Sequence, residues 1–146
     1  MAKRKRHERV MIDTHIFIHY ANNPSELSPY VREVLDDPNT EVCMSAESIR
    51  EMVVAYNSRN ISSPRWSSAA DIVRDVVELY GISVLPISPE VTYRYSRLTL
   101  NEAQRHYDPS DHIIICHAIT EHLPLISDDG KFPYYTGQGL ELIQEK

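Results

Sequence analysis

The sequence has few residues of the kinds that build disulfide scaffolds, nucleotide-binding loops or membrane spans. Its 146 residues include only two cysteines and four glycines. Cys43 and Cys116 each lie in an apolar run without metal-binding spacing, so we expect reduced core thiols of a cytoplasmic protein. The glycines form no Gly-rich loop after a strand, which argues against a Rossmann or P-loop site. No apolar run approaches the roughly 18 residues that a membrane span needs, and the charged start of the chain lacks the apolar region of a secretory signal.

Negative charge predominates, but it is unevenly distributed. The formal net charge is −6. Residues 1–9 carry a local charge of +4, which leaves −10 on the remainder; the basic residues there are Lys3, Arg4, Lys5, Arg6 and Arg9. The remainder of the chain is acidic enough to repel nucleic acid unless cations neutralise its carboxylates. We therefore separate a basic N-terminal arm, residues 1–9, from the rest. The arm is either a solvated tail or a source of long-range attraction for a polyanion.

Strand and helix patterns alternate along residues 10–146. Short apolar runs predict five strands: Val10–Ile12, Glu41–Met44, Ile82–Ile87, Pro124–Ser127 and Leu140–Ile143. Serines predict helix N-caps between them, at Ser28, Ser45, Ser67 and Ser88. The helix after Ser67 is expected to bury Ile72, Val73, Val76 and Val77. This alternation is typical of a parallel sheet covered on both faces, in a single α/β domain.

The most informative stretch runs from Asp108 to Ala118. Asp108 has the character of an N-cap, and Pro109 suits the first helical position, where its missing N–H costs nothing. Asp111 then falls in the first turn, beside free backbone N–H groups. At about 100° per residue it shares a face with Ile114 and Ile115. The face that packs on the core therefore carries a carboxylate at its N-terminal tip.

Other acids are predicted to lie at the same edge of the sheet. Asp13 follows the first strand and Asp128-Asp129 follow the fourth, while right-handed connections bring Asp111 to that edge. Glu51 lies within side-chain reach, although periodicity places it opposite the apolar stripe of its helix. Carboxylates this close must be protonated or held by hard cations. Oxygen ligands suit Mg²⁺ or Mn²⁺, and such a site suits attack of water on a phosphodiester.

At these motifs the chain resembles the PIN-domain nucleases, and among them the VapC-type toxins of VapBC-like type II toxin–antitoxin systems. The segment 12–15, Ile-Asp-Thr-His, is similar to the family's opening motif, with His in place of Asn. Residues 45–51 resemble its Ser…Glu helix, and residues 108–111 resemble the Asp-Pro-x-Asp helix of one VapC branch. Residues 125–132 resemble its (Leu/Val)-Thr-x-Asp-x-x-Phe segment, with Ser127 where Thr is usual. Four such motifs in order make a specific signal.

The resemblance implies a set of catalytic, metal-ligating acids: Asp13, Glu51, Asp111 and Asp129. Phe132 lies three residues after Asp129, and this register selects Asp129 over Asp128. Three auxiliary residues follow from the same comparison: Asp108, Ser127 and His15. The hydroxyl of Ser127 is suited to a hydrogen bond with Asp13, while the role of His15 stays open.

The resemblance also implies a three-layer α/β/α PIN-like fold with a central, mostly parallel sheet. The implied activity is a Mg²⁺- or Mn²⁺-dependent endoribonuclease that leaves 5′-phosphate and 3′-hydroxyl ends. The implied partners are a cognate antitoxin and a second copy of the chain in a homodimer. The alternative is a catalytically inactive PIN-like domain that binds RNA or serves as a protein scaffold, which has no use for mutually repelling carboxylates. A response-regulator receiver fits poorly, because Lys131 lies beyond the acid rather than on a strand end.

Several residues near these motifs have weaker assignments. His106 and His112 flank the acids, and we expect solvent-facing or substrate-contacting histidines rather than metal ligands. Arg59 and Arg65 lie in the polar connection of residues 57–66, and Lys131 follows the fourth acidic motif. These three cations are candidate substrate contacts.

Overall fold

Five parallel strands form one sheet in the computed structural model, which describes residues 8–145. The strands are β1 (Arg9–Ile12), β2 (Glu41–Ser45), β3 (Ser83–Leu85), β4 (Leu125–Ser127) and β5 (Leu142–Gln144). Their order is β3-β2-β1-β4-β5, and each adjacent pair is parallel. Most of the proposed basic arm lies outside the described residues, and its last member, Arg9, is the first residue of β1.

Helices occupy the connections between the strands. They are α1 (Thr14–Asn22), α2 (Pro29–Asp36), α3 (Ala46–Asn57), α4 (Ala69–Arg74), α5 (Pro89–Ser96) and α6 (Pro109–Glu121). Short 3₁₀ segments lie at Pro24–Glu26 and Phe132–Gln138, and a π-helical segment, Asp75–Leu79, continues α4. Within residues 8–145, every helix is too short or too polar to cross a membrane.

Two apolar cores cover the two faces of the sheet. Successive side chains of a strand point to opposite faces, so Val10 and Ile12 of β1 enter one core while Met11 enters the other. The first core includes α2 and α4 residues, among them Val31 and Ile72. The second is built largely from α6 and the 3₁₀ segment before β5. The chain is therefore a three-layer α/β/α domain, as the sequence predicted.

Side-chain caps fix the starts of most helices. The side chains of Ser28, Ser45, Ser88 and Asp108 each accept a backbone N–H in the first turn, as expected. The prediction for α4 is wrong by one residue, since its N-cap is Ser68 rather than Ser67. The cause is Asp71, whose carboxylate accepts the backbone N–H groups of both serines.

The helix after Ser68 buries a narrower stripe than its sequence suggested. Ile72 and Val76 are fully buried, whereas Val73 and Val77 are 38% and 48% exposed, which contradicts the prediction for those two valines. Each exposed valine follows a buried residue, and so lies about 100° around the helix from the row that contacts the core. Of these four residues, Ile72 and Val76 alone belong to the first core.

The edge formed by the carboxyl ends of β1 and β4 is the switch point of the sheet. The chain moves outward from β1 to β2 and β3, then returns to place β4 on the other side of β1. Such a point leaves a crevice outside the strand ends, where sites in α/β proteins form. The backbone N–H of Asp13 donates to the carbonyl of Ile126 at 3.2 Å, which joins the two strand ends.

Candidate metal centre

Asp13 lies in this crevice and is held from two sides. It caps α1, and its Oδ1 accepts the backbone N–H of Ile16 at 3.0 Å. The Ser127 hydroxyl, at the end of β4, is also hydrogen bonded to its carboxylate. Asp13 is only 5% exposed, and burial raises its pKa to about 7 although both hydrogen bonds oppose that rise. The carboxylate is thus oriented but poorly solvated.

Asp111 is the residue around which the other acids gather. One oxygen of Asp111 lies within 4.8 Å of ligand atoms of both Glu51 and Asp108, and a second such group joins Asp111 to Asp129 and His106. Burial, followed by the charges of Asp108, Asp129 and Glu51, raises the pKa of Asp111 to about 7. Carboxylates that destabilise one another's charged forms in this way are the donors that a hard divalent cation would stabilise. These groups can hold a metal ion.

Glu51 projects from α3 toward α1 and is partly buried. Its Oε1 accepts the hydroxyl of Thr14 at 2.6 Å, and Thr14 is the first residue of α1. Burial raises the pKa of Glu51, and the charge of Asp108 adds to that rise. Helical periodicity alone places Glu51 on the surface. The apolar stripe of α3 identifies the face that packs on the core, but it does not identify the second face, which contacts α1.

The two acids after β4 have different surroundings. Asp129 belongs to the group with Asp111, and its Oδ1 accepts the backbone N–H of Lys131 at 2.8 Å. Asp128 instead faces His19, with Oδ2 3.7 Å from Nε2. Asp13 lies outside both 4.8 Å groups, but the charge of Asp128 contributes to its raised pKa. Of these two acids, Asp129 is the one that adjoins Asp111.

His106 and His112 are buried, so the expectation that they face solvent or substrate is wrong. Their exposures are 2% and 3%. His106 Nε2 lies 2.9 Å from Asp111 Oδ2, and His112 Nε2 lies 2.9 Å from the carbonyl of His106. The His106 ring packs against His112, Phe132 and Tyr135. Burial lowers the pKa of both histidines.

Among the weaker candidates, Lys131 is the one adjoining the acids, through its backbone contact with Asp129. Arg65 is engaged by Asp75, with Nε and Nη2 at 3.0 and 3.1 Å from the two carboxylate oxygens. Arg59 lies beyond the end of α3, whose last residue, Asn57, is roughly 9 Å along the helix from Glu51. His15 is exposed, but its charge would lower the pKa of nearby Asp13.

A further acid, Glu47, lies close to the cluster but is neutralised by its own partners. It is 5% exposed, forms an ion pair with Arg50, and accepts the Ser110 hydroxyl at 2.6 Å. Arg50 Nη2 also donates to Ser110 Oγ at 2.8 Å. This network joins α3 to the first turn of α6, and it fixes the position of Asp111 relative to Glu51.

Sequence reasoning missed the polar groups that support the acids. Thr14 belongs to the opening motif, and its position directly after Asp13 is the sequence signal that could identify it. The Tyr135 hydroxyl is hydrogen bonded to His106, and the backbone N–H of Asn101 donates to that hydroxyl. Residues 97–108, which carry His106, have no regular period, so no pattern could show that this histidine turns inward.

The fold and the site define the chain as a three-layer α/β domain with a carboxylate cluster at the switch point of a parallel sheet. The PIN domain family model matches residues 10–137, and the chain belongs to the PIN-domain family. The family part of the predicted resemblance is thus confirmed.

Solved structures with similar folds include VapBC proteins and a VapC protein. VapBC2 from Rickettsia felis, bound to a promoter DNA fragment, superposes with a TM-score of 0.71 at 20% identity, covering 94% of this chain and 99% of that one. VapBC-1 from nontypeable Haemophilus influenzae gives 0.66 at 21% identity, covering 93% and 97%. Mycobacterium tuberculosis VapC20, described as a sarcin-ricin loop cleaving toxin, gives 0.60 at 15% identity, covering 86% and 93%. No curated protein sequence matches the chain. At these identities the structures show a shared fold.

Proposed function

We propose that this chain is a divalent-metal-dependent endoribonuclease and the VapC-type toxin of a toxin–antitoxin pair. The observation that carries the proposal is the position of Asp111, whose carboxylate lies within 4.8 Å of ligand atoms from both sides of the crevice. Burial and the neighbouring acids raise the pKa of Asp111 to about 7, so a bound cation would stabilise its charged form.

The donor set fits a hard cation. Asp111, Asp129 and Glu51 would hold Mg²⁺ or Mn²⁺ through carboxylate oxygens, and Asp13, which follows β1 at the same edge of the sheet, would add a further carboxylate to the site. When bound, such an ion supplies Lewis acidity and a water of lowered pKa for hydrolysis of a phosphodiester. Thr14 orients Glu51, and Ser127 orients Asp13. Asp108 is exposed at the rim, where it caps α6 and adds negative charge.

RNA is the substrate we infer, from family membership and from the activity stated for VapC20. The alternative, an inactive PIN-like RNA-binding or scaffold domain, is disfavoured by the acids themselves. The raised pKa values of Asp13 and Asp111 show that ionising these side chains is costly. A scaffold gains nothing from that cost, whereas a metal-dependent hydrolase needs both carboxylates as metal ligands. An inactive domain would bind RNA and leave it intact.

A cognate antitoxin and a second copy of the chain are the protein partners we infer. The similar structures from R. felis and H. influenzae are VapBC assemblies. Exposed apolar side chains on α3, α4 and the π-helical segment supply surface for protein contacts: Val54, Val73, Val77 and Leu79. Cytoplasmic location, and RNA attraction by the basic segment at the start of the chain, stay predictions.

Two matched variants test the site assignment. We expect wild-type protein to cleave total cellular RNA with Mg²⁺ or Mn²⁺, Asp128→Asn to retain most of that activity, and Asp129→Asn to lose it. The two substitutions remove the same charge from adjacent residues, but only Asp129 adjoins Asp111. Gel analysis of timed digests measures the rates. If Asp128→Asn were the inactive variant, the metal register would be wrong; RNA binding without cleavage by the wild type would favour the inactive domain.

A further inference from the structure

A buried chain of hydrogen bonds ends on Asp111. The backbone N–H of Asn101 donates to the Tyr135 hydroxyl at 3.1 Å, and that hydroxyl lies 2.9 Å from His106 Nδ1. His106 Nε2 then lies 2.9 Å from Asp111 Oδ2. Asn101, Tyr135 and His106 are at most 2% exposed. Protein groups therefore fix the partners of both ring nitrogens.

Counting protons gives this chain a direction. A backbone N–H can only donate, so the bond from Asn101 occupies a lone pair of the tyrosine oxygen. The single proton of Tyr135 is then free to donate to His106 Nδ1, and at the other end of the chain an ionised Asp111 carboxylate can only accept, so both neighbours favour the same tautomer. A neutral imidazole that accepts at Nδ1 carries its proton on Nε2. Nε2–H donates to Asp111 Oδ2, and each donor in the chain is matched to one acceptor.

We propose that His106 is a positioning residue that holds Asp111 through Nε2–H, and that Tyr135 selects the tautomer that makes this possible. The role rests on the proposed function, because Asp111 is there the central ligand. His106 Nε2 is close enough to Asp111 and Asp129 to complete a nitrogen-containing metal site. A protonated Nε2 has no lone pair for a metal, so the assignment removes His106 from the ligand set.

The consequence is a centre of oxygen donors alone. Imidazole nitrogen would favour Zn²⁺ and other transition ions, while carboxylate oxygens favour Mg²⁺ and Mn²⁺. Groups that orient a metal ligand in this way typically change metal affinity about 10–100-fold when they are removed. The His106 ring is itself held by packing against Phe132 and Tyr135, and by the hydrogen bond of His112 to the His106 carbonyl.

The tautomer is measured directly in the full-length, metal-free chain. Long-range ¹H–¹⁵N NMR at pH 8 distinguishes the two neutral forms of each imidazole, and the His106 signal is the one absent from His106→Gln. We expect His106 to be the Nε2–H tautomer in the wild type and to lose this single-form pattern in Tyr135→Phe. An Nδ1–H tautomer in the wild type would overturn the proposal. This readout depends neither on metal nor on activity.

Mn²⁺ binding then separates positioning from ligation. Glutamine can present an N–H near the position of Nε2, so we expect His106→Gln to bind Mn²⁺ within a few-fold of the wild type, while His106→Leu binds about 10–100-fold more weakly. Pulsed EPR of the Mn²⁺-loaded wild type should show no coupling from a directly bound imidazole nitrogen. Such a coupling, or equal losses in both variants, would overturn the proposal. A wild type that binds no Mn²⁺ would overturn the proposed function instead, while the metal-free tautomer would still decide the hydrogen-bond assignment.

Discussion

Asp111→Asn is expected to reduce RNA cleavage by ~10²-fold or more, because the interactions of a catalytic metal contribute several kcal/mol to the transition state. Asparagine keeps the shape of the side chain and an oxygen that can accept a hydrogen bond from His106. It removes the negative charge of Asp111, the one residue that belongs to both groups of acids. Asp13→Asn should cause a comparable loss. A cleavage assay at saturating Mg²⁺ measures both variants.

The same substitution should stabilise the metal-free protein at pH 8. The folded-state pKa of Asp111 is raised from 3.8 to about 7. The protonated side chain therefore favours the folded state fully below pH 4, and this contribution to the unfolding free energy is lost as pH rises through 7. A neutral asparagine avoids this loss. We expect a gain of roughly 1–3 kcal/mol in unfolding free energy, or about 3–10 °C in melting temperature.

The control for both effects is Glu78→Gln, which removes one negative charge from an exposed position on the π-helical segment. It should leave cleavage and melting temperature nearly unchanged. An Asp111→Asn variant that cleaves at the wild-type rate would show that Asp111 is not a catalytic ligand. A variant that is less stable than the wild type at pH 8 would contradict the repulsion argument.

Divalent cations are expected to stabilise the wild-type protein strongly at pH 8 and progressively less below pH 7. Metal binding requires ionised carboxylates, and the pKa values of both Asp13 and Asp111 are about 7. An ion at 100 times its dissociation constant adds about 2.7 kcal/mol, or roughly 5–10 °C. Thermal unfolding with Mg²⁺ or Mn²⁺, against NaCl of equal ionic strength, measures the increment.

The increment should disappear in Asp111→Asn at every pH, since that variant lacks the shared ligand. Equal increments at pH 5.5 and pH 8 would show that the ion binds elsewhere. An unchanged increment in the variant would remove Asp111 from the ligand set.

The parts of the fold that could be predicted are those set by local chemistry. Strand-length apolar runs, serine caps and the Asp108-Pro109 helix start each depend on residues close in sequence. Their order, with right-handed connections, was enough to bring Asp13, Asp111 and Asp129 to one edge. The family motifs then added Glu51, which periodicity had placed on the surface.

What could not be predicted depends on contacts between distant segments. Whether His106 faces solvent or protein is decided by Tyr135 and Phe132, about 30 residues later. Arg65 is held by an ion pair with Asp75 across the start of α4. Neither contact can be predicted from hydrophobic periodicity, because the irregular segments that carry His106 and Arg65 have no periodic pattern. The residues that support the acids therefore become visible only in three dimensions.

The chemical identity of the RNA ends shows whether this protein uses a metal ion to direct water at the phosphodiester. Wild-type protein should cleave RNA only with Mg²⁺ or Mn²⁺, and should leave 5′-phosphate and 3′-hydroxyl ends, because water rather than the RNA's own 2′-hydroxyl attacks the phosphorus. Ligation and phosphatase treatment of the fragments, with EDTA and Asp111→Asn as controls, identify these ends. We expect fragments that ligate without prior phosphorylation and that are absent in both controls. Fragments with 2′,3′-cyclic phosphate ends, or cleavage that persists in EDTA, would show that the protein is not a metal-dependent hydrolase of this kind.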